Sequence, residues 1–324
     1  MGFLYSQLFK QLPSPTGSYA GKTIIVTGSN VGLGKEAARH FVSLGASKLV
    51  LAVRNVQRGN EAKTDIEAST KCRKDVIHVW EVDMASYASV EAFAARINND
   101  LERVDIFLAN AGIAPGKYAV AEGNEASITV NFLSTMLLTV LVMPKLKNTA
   151  KLYKTRPTLT IVTSDVHAHT AFPQKSAPDG EILATVNDKA TAEKYWDEQY
   201  PVSKLLGVFA VRAIAERNPA ATFPVTINLV NPGLCHSELG RDYPTYAFWL
   251  IKLVLARSTE VGSRTLVHAA SQGADSHGKY MTDCGTGAPS PFVTSEEGQR
   301  AQERVWDELV TKLESIKPQC TKNF

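Results

Sequence analysis

At 324 residues the chain exceeds the ~100–200 residues usual for one domain, although α/β folds often reach such a length as a single unit. Its composition, 44% hydrophobic and 21% charged, suits a globular protein with a sizeable core, and a net charge of +3 without a long basic run argues against a nucleic-acid partner. The four cysteines, Cys72, Cys235, Cys284 and Cys320, are scattered without CxxC spacing, which indicates neither a metal site nor a disulfide framework and suits a reducing, cytoplasmic setting.

The amino terminus, MGFLYSQLFKQLPSPTG, lacks the basic start and long apolar run of a signal peptide. It matches the myristoylation pattern M-G-x-x-x-S through Gly2 and Ser6. Such six-residue motifs are permissive, and the favoured reading is a short amphipathic helix with Phe3, Leu4, Leu8 and Phe9 packed on the body. No stretch reads as the ~18 apolar residues of a spanning helix, so any membrane contact is expected to be peripheral.

Strand and helix patterns then alternate. KTIIVTG (22–28) reads as a strand ending in glycine, and GKEAARHFVSLG (34–45) as a helix closed by Gly45. SKLVLAV (47–53) is a second strand, followed by a polar helix to about residue 70, and DVIHVWEVD (75–83) is a third. SVEAFAARIN (89–98) is helical, RVDIFLANAG (103–112) is a fourth strand, and a long helical stretch runs from residue 124 to residue 146. TLTIVTS (158–164), the helix VSKLLGVFAVRAIAER (202–217) and the strand FPVTINLVNPG (223–233) complete the series. This alternation predicts a Rossmann-like α/β fold, a doubly wound parallel sheet flanked by helices, with ligands at the carboxyl ends of the strands.

The expected organisation is an extension over 1–20, a dinucleotide-binding and catalytic domain over 21–285, and a helical extension over 286–324. Within the domain, residues 165–197 read as a polar insertion and 234–258, carrying YAFWLIKLVLA, as an apolar substrate lid.

The candidate chemistry falls at strand ends. TGSNVGLG (27–34) lies between strand one and its helix, where Gly28, Gly32 and Gly34 permit a tight turn and close approach of a phosphate to the helix amino terminus. Its spacing, G-x-x-x-G-x-G, departs from the G-x-G-x-x-G fingerprint. Arg54 closes strand two where a carboxylate would bind the ribose 2′-OH of NAD; a cation there suits a 2′-phosphate and hence NADP(H), with Lys35 and Arg58 as helpers. Asp83 closes strand three, and Asn110, Ala111 and Gly112 close strand four with residues small enough to let a cofactor pass. Ser164 ends strand five. Its neighbours Asp165 and His167 invite a hydrolase reading, but the G-x-S-x-G elbow is absent. Tyr200 and Lys204, four apart on one helix, share a face. A tyrosine near its ordinary pKa of ~10 is a poor proton donor or acceptor, and a neighbouring ammonium is expected to lower that pKa.

The ordered set Gly28/Gly32/Gly34, Asp83, Asn110-Ala111-Gly112, Asn131, Ser164, Tyr200/Lys204 and Asn231-Pro232-Gly233 resembles the short-chain dehydrogenase/reductase superfamily over roughly residues 20–285. GSNVGLGKEAARH, AVRN, the long gap between Ser164 and Tyr200, and VNPGLCHSEL are similar to its retinol-dehydrogenase-like branch, and most to fungal members among secondary-metabolite tailoring enzymes. Three departures stand out: ANAG replaces NNAG, TSD replaces SS so that Ser164 takes the catalytic place, and HS follows the Pro-Gly where a threonine is common.

The resemblance implies Tyr200 as general acid/base, Lys204 on the nicotinamide ribose, Ser164 on the substrate carbonyl and Asn131 holding a water that links Lys204 to solvent. It implies cofactor contacts from Gly28, Ser29, Asn30, Gly32, Leu33, Gly34, Lys35, Arg54, Asp83, Met84, Asn110, Ala111, Gly112, Pro232, Gly233 and Leu234, with no metal. The expected activity is NADPH-dependent hydride transfer to a ketone or aldehyde, or from the matching alcohol. Tyr243, Tyr246, Phe248 and Trp249 suggest a bulky apolar small-molecule substrate. The competing readings are a retinoid- or steroid-type lipid dehydrogenase at a membrane surface and a non-catalytic NADP(H)-binding protein. The assembly expected is a monomer or homodimer.

Overall fold

Ten strands form in the computed structural model, which describes residues 3–237, 239 and 254–324. In chain order these are β1 (Thr23–Thr27), β2 (Lys48–Val53), β3 (Ile77–Glu81), β4 (Ile106–Ala109), β5 (Val120–Ala121), β6 (Asn124–Glu125), β7 (Thr158–Val162), β8 (Thr226–Asn231), β9 (Tyr280–Thr282) and β10 (Gly285–Gly287). Eight of them make one sheet in the order β10-β9-β8-β7-β4-β1-β2-β3, and β5 and β6 pair separately as a small antiparallel hairpin. All neighbours in the main sheet are parallel except β9–β10 at one edge. The order reverses between β1 and β4, so their carboxyl ends form the crevice where doubly wound sheets bind ligands.

Every residue of β1 and of β8 is buried, as a parallel sheet covered on both faces requires. Alternate side chains feed two cores. Ile25, Phe107 and Leu159 pack with the helices Ser134–Tyr153, Trp196–Arg217 and Glu296–Ile316. Ile24, Val26, Leu51 and Leu108 face the helices Gly32–Ser43 and Thr259–Ala270. Side-chain caps start four of the longer helices: Asn55, Ser86, Ser258 and Ser295 each accept a backbone N–H of the following turn. At helix Gly32–Ser43, Val31 stands at the N-cap with no side-chain bond.

Several expectations change. The amino-terminal helix Phe3–Phe9 forms, but it buries none of its side chains. Phe3, Leu4, Leu8 and Phe9 are 43%, 59%, 48% and 69% exposed. It is Ser6 and Gln7 that reach the body, so polar bonds rather than apolar packing dock this helix. One helical run, Ala126–Tyr153, is long and apolar enough to cross a membrane (28 residues, mean hydropathy 1.9), contrary to the sequence reading, but 94% of its most apolar window is buried against the sheet and neighbouring helices. Within that run Thr129–Leu133 is a π-helical turn, which periodicity did not indicate.

The segment 165–197 is built of short pieces, 3-10 turns at Asp165–Ala168 and Pro173–Ser176 and helices Ile182–Asn187 and Lys189–Lys194. The helix Glu296–Ile316 holds it: Glu308 accepts the N–H groups of Ile182 (2.9 Å) and Leu183 (2.7 Å), and Arg304 donates to Lys175 O (2.7 Å). Val305, Trp306, Leu309 and Leu313 of that helix belong to the main core. Tyr243, Tyr246, Phe248 and Trp249 of the expected lid lie outside the described residues.

Candidate active site

The glycine turn after β1 is shaped by the chain beside it. Gly28 has φ +64°, and a Cβ there would lie 2.9 Å from Ala111 Cα; a Cβ on Gly34 would lie 2.6 Å from the Gly28 carbonyl. Gly32 has φ +61° with open space around it. The turn therefore presses against the end of β4 on one side and opens outward on the other, over the uncapped start of helix Gly32–Ser43. Unpaired N–H groups and the positive dipole end there suit an anionic phosphate.

Ser29 is buried and donates its hydroxyl to Val26 O (2.8 Å), which fixes its side chain back against β1. Asn110 is a brace: its amide donates to Thr27 O (2.9 Å) and Gly28 O (3.1 Å). Thr27, which sequence reasoning missed, accepts the N–H groups of Asn110 and Ala111 on one buried hydroxyl, both at 3.0 Å. A β-branched polar residue at a fully buried strand end is the signal that could have found it.

Arg54 is exposed at the end of β2 and has no hydrogen-bond or ion-pair partner among the described residues. Lys35 is instead committed to Asp65 at 2.8 Å. Arg39 shares that carboxylate, and the two cations pull the Asp65 pKa down to about 2. Asp83, just beyond β3, accepts the Ala85 N–H (2.9 Å) on one oxygen, and Met84 beside it is buried.

The four residues expected to do chemistry come from three elements. Asn131 sits in the π turn, buried, with its amide spent on Ile113 N and O (both 2.8 Å) and on Ser203 Oγ (3.0 Å). Ser203, also missed from sequence, passes its own proton to Tyr200 O (2.7 Å) and so joins the π turn to helix Trp196–Arg217. Lys204, on the same helix, is buried and donates to Val162 O at the end of β7 (3.1 Å). A Cβ on Gly112 would lie 3.1 Å from Asn131 Oδ1 and 3.5 Å from Lys204 Nζ, so both groups converge on the end of β4. Burial pushes the Lys204 pKa down to about 8.

The Tyr200 pKa moves opposite to the expectation from its lysine neighbour. Burial raises it first and the Asp165 carboxylate second. The Lys204 ammonium lies over the ring, 5.6 Å from its centroid, and does not offset the desolvation.

Ser164 caps the 3-10 turn that packs on helix Trp196–Arg217. Its hydroxyl accepts the Val166 N–H (3.3 Å) and stands 3.4 Å from Asp165 Oδ1. His167 bonds the Ser164 carbonyl through Nδ1 (2.7 Å) and accepts the Ser290 N–H on Nε2 (2.9 Å). Neither ring nitrogen is left for Oγ, so no Ser-His hydrolase pair exists here.

Beyond β8, Gly233 adopts φ +75° and its N–H donates to Asn231 Oδ1 (3.0 Å), turning Pro232, Gly233 and Leu234 toward the same strand-end edge. Among the described residues no cluster of three or more potential metal ligands occurs.

The short chain dehydrogenase family profile matches residues 22–177. A short chain dehydrogenase/reductase of Cryptosporiopsis sp., dmxR8, is 71% identical over 324 residues, 100% of both chains. The short-chain dehydrogenase anuD of Penicillium roqueforti is 40% identical, covering 98% of this chain and 84% of its own. Among solved structures, a 3-ketoacyl-(acyl-carrier-protein) reductase from Brucella melitensis complexed with NADH superposes with a TM-score of 0.60 at 20% identity, over 82% of this chain and 97% of that one. A fold with its crevice at the β1/β4 switch, together with full-length identity of 71%, leads to one conclusion: the chain belongs to the short-chain dehydrogenase/reductase family, in the fungal tailoring branch that its motifs resemble.

Proposed function

We propose that the chain is an NADP(H)-dependent oxidoreductase that reduces a ketone or aldehyde, or oxidises the matching alcohol, on a bulky apolar secondary metabolite. The observation that carries the reading is the convergence of Lys204 Nζ and Asn131 Oδ1 on Gly112, one helical turn from Tyr200 and at the strand-end edge that the glycine turn also faces. Members of the family act on CH–OH and C=O groups, and a chain that kept only the cofactor pocket would have little reason to keep Ser164, Tyr200, Lys204 and Asn131 together.

The residues present fit a dinucleotide. The outward-open glycine turn and uncapped helix start suit its pyrophosphate, and the unpartnered Arg54 suits a 2′-phosphate. Lys35 would have to leave Asp65 to assist, so Arg54 carries this preference. When bound, NADPH supplies a hydride at its nicotinamide ring. The chain supplies position and protons. The Tyr200 hydroxyl gives its proton to the carbonyl oxygen; burial keeps that hydroxyl protonated but makes it a weaker acid, so the transfer draws on the negative charge that develops on the oxygen as the carbonyl is reduced. Ser164 turns its hydroxyl to the same oxygen. Lys204 would hold the nicotinamide ribose. Both N–H groups of the Asn131 amide are taken, so a relay water beside it would be held by a carbonyl oxygen. The substrate class rests on the aromatic residues Tyr243, Tyr246, Phe248 and Trp249 of the sequence.

A second reading, a lipid-type dehydrogenase working at a membrane surface, is favoured by the outward apolar side chains of helix Phe3–Phe9. Incubating the protein with NADPH or NADH and a panel of polycyclic and aliphatic ketones, and following reduced-cofactor absorbance, tests the main reading. Turnover of a polycyclic ketone with NADPH preferred supports it; failure to bind either cofactor refutes it. Flotation with liposomes separates the second.

A further inference from the structure

The amino-terminal helix Phe3–Phe9 turns its apolar side chains outward and its two central polar ones inward. Gln7 makes three bonds to two distant segments. Its Nε2 donates to Leu234 O (2.8 Å) and Leu255 O (2.9 Å), and its Oε1 accepts the Leu234 N–H (3.3 Å). Ser6 donates to Asp283 Oδ2 (2.6 Å). Arg257, buried, donates to Ser6 O (2.8 Å) and Pro232 O (3.2 Å), and pairs with Asp283 Oδ1 at 2.8 Å. The backbone joins the same knot: Arg257 N–H donates to Leu234 O and His236 N–H to Arg257 O, both at 2.9 Å.

Two local conformations of positive φ border this knot. Asp283 and Cys284 both sit at positive φ, +51° and +55°, in the tight turn between β9 and β10. Such conformations persist in non-glycine residues where surrounding bonds hold them. Gly233, at φ +75°, has no room for a side chain: a Cβ there would collide with Gln7 Oε1 and come within 2.9 Å of Arg257 Nη1.

We propose that Gln7, supported by Ser6, Arg257 and Asp283, is a positioning residue of the cofactor site, holding the Pro232–Leu234 loop in the conformation that receives the nicotinamide half of the dinucleotide. The proposal rests on the reading of this chain as an NADP(H) enzyme, in which that loop lines the nicotinamide end. The amino-terminal helix is then part of the site although it is remote from it in sequence.

The test uses the full-length chain and Gln7→Met, which keeps side-chain length and removes all three bonds. Amide hydrogen exchange at Leu234 and Arg257 reads the loop directly, without cofactor. The expected result is exchange at least tenfold faster in the variant. NADPH binding should weaken about tenfold, while 2′,5′-ADP, which carries the 2′-phosphate but no nicotinamide, should bind as it does to the wild type. Exchange unchanged at Leu234, or equal loss of affinity for NADPH and 2′,5′-ADP, overturns the proposal. Should Gln7→Met fail to accumulate, Ser6→Ala must show the same pattern at smaller amplitude, and its absence counts equally against the clasp. A wild-type chain that binds neither ligand would sink the cofactor reading, yet the exchange measurement would still decide whether Gln7 holds the loop.

Discussion

Lys204 should be a residue that the fold would be better off without. Its Nζ is buried, with one carbonyl acceptor and no carboxylate partner among the described residues, and burial lowers its pKa from 10.5 to about 8. The lowered value means that the unfolded chain binds the proton more tightly than the native one. The native state is therefore penalised wherever the lysine is charged, fully below pH 8, and the penalty fades as pH rises from about 8 toward 10.5. At ~1.36 kcal/mol per pKa unit the penalty is about 3 kcal/mol at pH 7 and about 2 kcal/mol at pH 9. Lys204→Met removes it, keeps most of the packing and gives up the bond to Val162 O, worth about 1 kcal/mol. The variant should gain about 2 kcal/mol at pH 7, or about 3 °C in Tm for a chain of this length, with a smaller gain at pH 9. It should also lose at least a hundredfold in turnover. Denaturant titrations at the two pH values measure the first effect, and cofactor absorbance the second. A variant less stable than wild type at pH 7 would show that Lys204 is satisfied in the native state and would refute the reasoning.

Arg54→Ala should weaken NADPH binding by roughly one to two decades, the ~1.5–3 kcal/mol of a charge-assisted contact, and leave NADH almost unaffected; equal losses would make Arg54 a fold residue. Lys35→Ala should do much less to NADPH, because Lys35 is occupied by Asp65, and a loss matching that of Arg54→Ala would contradict this. Burial lowers the pKa of His167 and of His277, so the unfolded chain binds more protons below about pH 6.5. Stability should therefore fall as pH drops from 7 to 5.5, and an unfolding free energy that rises over that interval would show that these rings gain a native partner on protonation. Gly34→Ala should abolish cofactor binding or folding, because its Cβ would meet the Gly28 carbonyl at 2.6 Å; normal NADPH affinity in a soluble variant would refute the tight-turn argument.

The parts of this protein that were legible in its sequence are those written in short-range pattern. Apolar runs bounded by polar or turn-forming residues gave β1, β2, β3, β4, β7 and β8, each shorter than its run at one end or both because the hydrogen-bonded ladder stops before the flanking loop residues. Glycines at strand ends announced the turn over residues 27–34. What stayed hidden depends on partners far apart in the chain. The pairing of Arg257 with Asp283 and Ser6, and the seat of Lys35 on Asp65, follow from tertiary proximity alone. The three-residue strands β9 and β10 are too short for a period-2 signal. The π turn holding Asn131 is one extra residue in a helix that otherwise reads as regular. Helix Phe3–Phe9 misled for a related reason: with apolar residues on most of its circumference, Ser6 and Gln7 looked like the outer face, but their bonds to Leu234 and Asp283 make them the inner one.

The proposed chemistry turns on one oxygen atom. Tyr200→Phe removes the hydroxyl and keeps the ring on helix Trp196–Arg217, so NADPH affinity should stay near that of the wild type. With a polycyclic ketone that the wild type reduces, and with 4-deuterated NADPH establishing that hydride transfer is rate-limiting, single-turnover reduction by Tyr200→Phe should be slower by about a hundredfold or more. A rate within about threefold of the wild type under the same conditions would remove Tyr200 from the mechanism.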